Sequence, residues 1–81
     1  MLYGKPFVMD NRKFAKWLED KLIRRCLTQV EFAALIGVDE QRISECINGF
    51  KPVTEDFFTL VCKGLNVSRL GALREVQKVR V

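Results

Sequence analysis

The side chains best equipped for chemistry in this sequence are three cysteines, Cys26, Cys46 and Cys62, and they lack the company that chemistry needs. Three thiols cannot all pair within one chain, none shows Cys-x-x-Cys spacing, and the sequence contains no histidine. The commonest general base and many metal sites are therefore missing. Each cysteine falls in a stretch that reads as helical, where a free thiol packs as a small hydrophobe, so all three are expected in the core. No glycine-rich phosphate loop and no cluster of metal ligands stands out, and 81 residues leave no enclosed volume for a substrate. The expectation is a protein that is not an enzyme and uses no cofactor, metal or small-molecule substrate.

The charged side chains offer different chemistry, attraction to a polyanion. The net charge is +4, and its distribution says more than its sum. Residues 1–25 carry seven bases (Lys5, Arg12, Lys13, Lys16, Lys21, Arg24, Arg25) against three acids. Residues 26–50 carry Arg42 alone against Glu31, Asp39, Glu40 and Glu45. Residues 69–81 carry Arg69, Arg74, Lys78 and Arg80 against Glu75. Positive charge lies toward the two ends, and the middle is acidic.

The frame that positions these groups is a single domain with a thin core. Hydrophobic residues make up 48% of the chain and charged residues 30%, the proportions of a folded globule. No apolar run approaches membrane-spanning length, and Met1–Pro6 lacks the basic-then-apolar layout of a secretory signal, so a cytoplasmic protein with no membrane partner is expected.

Periodicity and caps predict an all-α, five-helix chain. Residues 1–10, with Gly4 and Pro6, read as an extended arm or short strand. Asp10 caps a first helix from Asn11 to about Arg25, with Phe14, Trp17, Leu18, Leu22 and also Ile23 as its apolar stripe. Thr28, with Glu31 three residues on, is a capping box for a second helix, Gln29 to Ile36, which Gly37 ends. Asp39 caps a third, Glu40 to about Asn48. Pro52 breaks the chain, and Thr54 caps a fourth helix with Phe57, Phe58, Leu60, Val61 and Leu65 inward and Asn66 closing it. Ser68 starts a fifth with Leu70, Leu73 and Val76 inward. The main domain thus spans 11–75. The tail, 76–81, extends the last helix or forms a strand; Val76, Val79 and Val81 are a packed turn or a dimer seam. The helical spacing of Phe14, Trp17, Phe32, Phe57 and Phe58 assigns them to the core rather than to base stacking. Tyr3, Phe7 and Phe50 are less committed.

Only Gly37-Val38-Asp39 separates the second helix from the third, and so tight a connection forces a steep crossing. The crossing needs a small residue on the inner face, a positive φ in the turn and apolar residues pointing back; Ala33, Gly37, and Val38 with Ile43 and Cys46 meet these demands.

The run Leu27-Thr28-Gln29-Val30-Glu31-Phe32-Ala33-Ala34-Leu35-Ile36-Gly37-Val38, then Ile43-Ser44 and Asn48-Gly49, resembles the Cro/XRE family of phage and bacterial helix-turn-helix repressors. The likeness continues through Pro52, Leu60–Leu65 and Val67, covering roughly residues 11–73. It implies a five-helix transcription regulator that binds double-stranded DNA, usually as a homodimer, with its third helix in the major groove. By position, Glu40, Gln41, Ser44 and Glu45 match residues that face base edges. Gln29 matches a phosphate contact that also braces the reading helix, and Arg42, Asn48 and Lys51 match positions near the DNA backbone. Arg12 and Lys13 are further phosphate candidates from their charge, although the bases of the first helix can equally solvate an outward face.

The residue types fit these roles in part. A glutamine reads adenine by two bonds, glutamate accepts from cytosine N4, and arginine suits guanine or phosphate. Glutamate cannot bind phosphate, however, so affinity must come from Arg12, Lys13, Lys51 and the tail bases or from a second subunit. The family usually has glutamate before Asn-Gly, where this chain has Ile47; that side chain is a core contact with the fourth helix or part of a partner patch. Two functional expectations follow: a sequence-specific DNA-binding regulator, a repressor of phage or mobile-element type, and, as the alternative, a protein-interaction module of the same fold, an antitoxin or antagonist that meets a basic protein partner with its acidic middle.

Overall fold

The computed structural model describes residues 7–81, which form five α-helices and, among the described residues, no strand. They are α1 (Asn11–Arg24), α2 (Gln29–Ile36), α3 (Glu40–Ile47), α4 (Glu55–Leu65) and α5 (Arg69–Lys78). Of the expected arm, residues 1–6, with Tyr3, lie outside the described residues; Phe7 packs against Phe58, with ring centroids 6.0 Å apart.

Each helix begins at the cap its sequence announces. Asp10, Thr28, Asp39, Thr54 and Ser68 all accept hydrogen bonds from backbone N–H groups of the following turn, and Thr28 and Glu31 complete a reciprocal capping box. The first four helices stop at residues with positive φ: Cys26 (55°), Gly37 (74°), Gly49 (79°) and Asn66 (57°). At Cys26 the N–H of Leu27 bonds to the Leu22 carbonyl and that of Cys26 to the Ile23 carbonyl, closing the helix as a glycine would.

α1 packs against α3 and α5, α2 against α3 and α4, and α4 against α5. The core holds Phe14, Trp17 and Leu18 of α1, Phe32 and Ala33 of α2, Ile43 and Cys46 of α3, Phe57, Phe58, Val61 and Leu65 of α4, and Ala72 and Val76 of α5. Ile47 and Val38 pack against this core from its margin.

Four side chains depart from the sequence expectation. Ile23 is 75% exposed: it lies nine residues after Phe14, about half a turn round the helix from that buried ring. Leu70 is 71% exposed, because α5 turns Ala72 and Val76 inward, with Leu73 only half-buried. Leu60 sits at the rim of α4, where Cys62 takes the inner place. Cys26 is exposed in the turn rather than buried in a helix; Cys46 and Cys62 are buried. α5 itself runs on to Lys78, so residues 76–78 are helical and Val76 belongs to the core instead of a seam.

Candidate nucleic-acid interface

The three residues between α2 and α3 all have work to do. Gly37 takes the left-handed conformation and donates to the Ala33 carbonyl, Val38 donates to the same carbonyl and packs inward, and the Asp39 carboxylate accepts from the Gln41 N–H. With Ile43 and Cys46 held inside, the helical period leaves Gln41 and Ser44 on the side of α3 away from the core, while Glu40, one turn before Ile43, is exposed because it opens the helix. Glu40 and Gln41 are exposed, and Gln41 bonds only through its backbone among the described residues. Ser44 is half-buried, its hydroxyl and carbonyl both accepting from Asn48 Nδ2, at 3.3 and 2.9 Å. Glu45, also half-buried, pairs with Lys51 at 3.7 Å.

The expected backbone contacts divide into engaged and open groups. Arg42 lies over the Phe57 ring, 4.9 Å from its centroid, and donates to Thr54 Oγ1 at 3.5 Å, so it braces α3 against α4. A guanidinium has five N–H donors, and those left over remain available. Asn48 must release Ser44 to donate elsewhere. Lys13 donates through Nζ to the Gln77 carbonyl, at the end of α5. Gln29, half-buried at the start of α2, and Arg12, exposed at the start of α1, form no side-chain hydrogen bond among the described residues. Arg42, Lys51 and Thr54, with Glu45, Cys46 and Pro52, line a cleft of about 350 Å³ beside α3.

The acidic balance of the middle segment is answered locally. Glu31 and Asp39 serve as helix caps, where negative charge meets the positive end of the dipole, and Glu45 has Lys51. Asp10 does the same for α1: the Lys13 N–H above all, with the Arg12 N–H and the charges of both, holds its carboxyl below the ordinary range against the opposing effect of desolvation. Burial pushes the Cys46 thiol up, and that of Cys62 up to about 11, so both stay protonated near neutral pH. Among the described residues no group of acidic or sulfur side chains is placed to hold a metal ion. No described helix is long and apolar enough to cross a membrane.

No family model matches the sequence, and no curated protein matches it. Among solved structures, it is similar to the clp gene regulator ClgR from C. glutamicum, with a TM-score of 0.72 and 23% identity over 90% of this chain and 92% of that one. The two chains share a fold. The likeness runs nearly the full length of both, so it takes in the α2–α3 pair and the helices that brace it.

One feature of the site is invisible in the motif. Asn11, the first residue of α1, donates from Nδ2 to the Cys46 carbonyl at 2.9 Å and to the Lys51 carbonyl at 2.8 Å. The only sequence signal for it is two cap-forming residues in succession, Asp10 and Asn11, of which a helix needs one.

Proposed function

We propose that this chain is a DNA-binding transcriptional regulator that reads the major groove with α3. The observation that carries the reading is the outward first turn of α3, where Glu40 and Gln41 stand exposed on a helix fixed by a three-residue turn. Such a protruding polar turn fits a groove about 12 Å wide. The fold shared with a clp gene regulator supports it. In this reading Gln41, Glu40, Ser44 and Glu45 face base edges, while Gln29 at the N-terminus of α2, Arg12, Lys51, Arg42, Asn48 and Lys13 supply backbone contacts.

The protein acts as a homodimer and a repressor of phage or mobile-element type, with two α3 helices about 34 Å apart on a two-fold site. Val76, Val79 and Leu73 pack against the core, whereas Val81, Val8 and Leu70 are exposed and are among the apolar side chains open to a dimer contact.

Selection from a random duplex library with the purified protein tests the proposal, and enrichment of a palindrome is the expected result. Gln41→Ala then lowers affinity for the selected duplex about tenfold or more, leaving thermal stability and the salt dependence of binding unchanged. Arg42→Ala is the poorer variant, since it also uncovers Phe57. If no duplex is enriched even at low salt, a protein-interaction module becomes the better reading. Against that alternative, its main support, the acidic middle segment, is largely occupied with capping and pairing.

A further inference from the structure

We infer that Asn11 is a positioning residue that sets the pose of α3 for base reading, an inference that rests on the DNA-binding proposal above. Asp10 already caps α1, so the amide of Asn11 is not needed there and reaches across the molecule instead. A primary amide nitrogen carries two hydrogens, and here both are used, one on the Cys46 carbonyl and one on that of Lys51. Cys46 lies in the last turn of α3, where its carbonyl also accepts from the Asn48 and Gly49 N–H groups that close the helix, and Lys51 lies in the connection to α4. A single atom of α1 therefore clips both sides of the turn that follows α3, across 35 and 40 residues of sequence.

The clip matters because α3 is only eight residues long and its other anchors are mainly packing contacts, of Ile43, Cys46, Ile47 and the Arg42 guanidinium on Phe57, joined by long bonds from Arg42 to Thr54 Oγ1 at 3.5 Å and from Cys46 Sγ to the Pro52 carbonyl at 3.8 Å. Packing of that kind resists separation better than it resists rolling. A roll of about 10° moves a side-chain tip roughly 6 Å from the helix axis by about 1 Å. That displacement breaks a paired hydrogen bond to a base and barely changes attraction to phosphates. Asn11 thus acts on discrimination rather than on bulk affinity, without touching DNA itself.

Asn11→Asp is the diagnostic substitution. It keeps the shape and places an acid at a helix N-terminus, which favours α1, yet it turns a carboxylate toward two carbonyl oxygens. With the duplex enriched by the wild-type chain as probe, the expected result is a loss of about tenfold in the ratio of selected to random-duplex affinity, random-duplex affinity staying within about twofold. Amide exchange at Gly49, Phe50 and Lys51 rises in the same variant. Asn11→Ala, which removes the bonds without the repulsion, gives the same pattern more weakly and serves if the first variant folds poorly. An unchanged ratio, or an equal loss on both duplexes, overturns the inference while leaving the DNA reading intact. A wild-type chain that enriches no duplex sinks the DNA reading, and this inference with it.

Discussion

The contacts that hold α2 to α4 and those that hold α1 to α5 work by different physics. Between α2 and α4 the approach is steric and dry: Gly64 lies so close to Ile36 and Phe32 that a Cβ at that position would collide with Ile36 Cγ2 and stand 3.0 and 3.2 Å from two Phe32 ring atoms. Between α1 and α5, polar clasps surround a smaller apolar contact. The Trp17 indole N–H donates to Glu75 Oε1 at 3.0 Å, and Lys21 Nζ stands 3.2 Å from the same oxygen. Lys13 and Lys16 donate to the carbonyls of Gln77 and Arg80, at 3.1 and 3.0 Å, and Arg25 reaches the Leu65 carbonyl at the end of α4. The basic face of α1 is therefore largely a set of caps for other segments. The α2–α4 contact, which holds the pair of crossed helices, is insensitive to pH and intolerant of volume; the α1–α5 contact tolerates volume and responds to protonation.

The sharpest way to break this comparison is Gly64→Ala. Overpacking of that kind costs about 1–3 kcal/mol and should lower the melting temperature by roughly 5–20 °C in calorimetry. A melting point that stays put would mean the α2–α4 approach is not a constraint at all. Glu75→Gln comes next. Glu75 is half in solvent (54% exposed against 19% for Lys21), so after solvent screening the loss is about 1 kcal/mol or less. Trp17 is the sole tryptophan, and its fluorescence should shift in the variant. Acid sharpens the same point. The Trp17 hydrogen bond first, then Lys21, hold the Glu75 carboxyl below its ordinary value of 4.5. Its contribution is full above about pH 4.5 and fades as pH falls through the lower folded value; a fluorescence titration should show the change in wild type and lose it in Glu75→Gln. Lys13→Met is the mildest test: removing one cap from α5 costs a few tenths of a kcal/mol in thermal melts. A larger loss would mark Lys13 as more than a cap.

Much of this could be read before any coordinates. The five N-caps follow from side-chain oxygens placed just before apolar periods, and Gly37, Gly49 and Asn66 mark helix ends because they adopt positive φ readily. Cys26 does the same job without the sequence sign for it, since the Leu22–Leu27 closure imposes the conformation on a residue that would not choose it. On α5 only Leu70 departs from its expected place: hydrophobicity ranks it above Ala72, whereas close packing on the rest of the domain selects the smaller side chain. At the candidate interface, the turn and the outward direction of Gln41 follow from spacing, and the exposure of Glu40 from its place at the start of α3. The engagement of Lys13 with α5, of Arg42 with Phe57 and of Asn11 with the turn after α3 joins residues far apart in the chain, which no local pattern records.

The three-residue link between α2 and α3 has a consequence for how the chain can vary. Every residue in it is committed: one bends, one plugs, one caps. Insertion of a single residue would take at least one of them out of register, loosening the turn that fixes how α3 meets α2. Substitution on α3 can retune the recognition proposed for it, but a change of length between residues 36 and 40 would disturb the crossed helices and the core together.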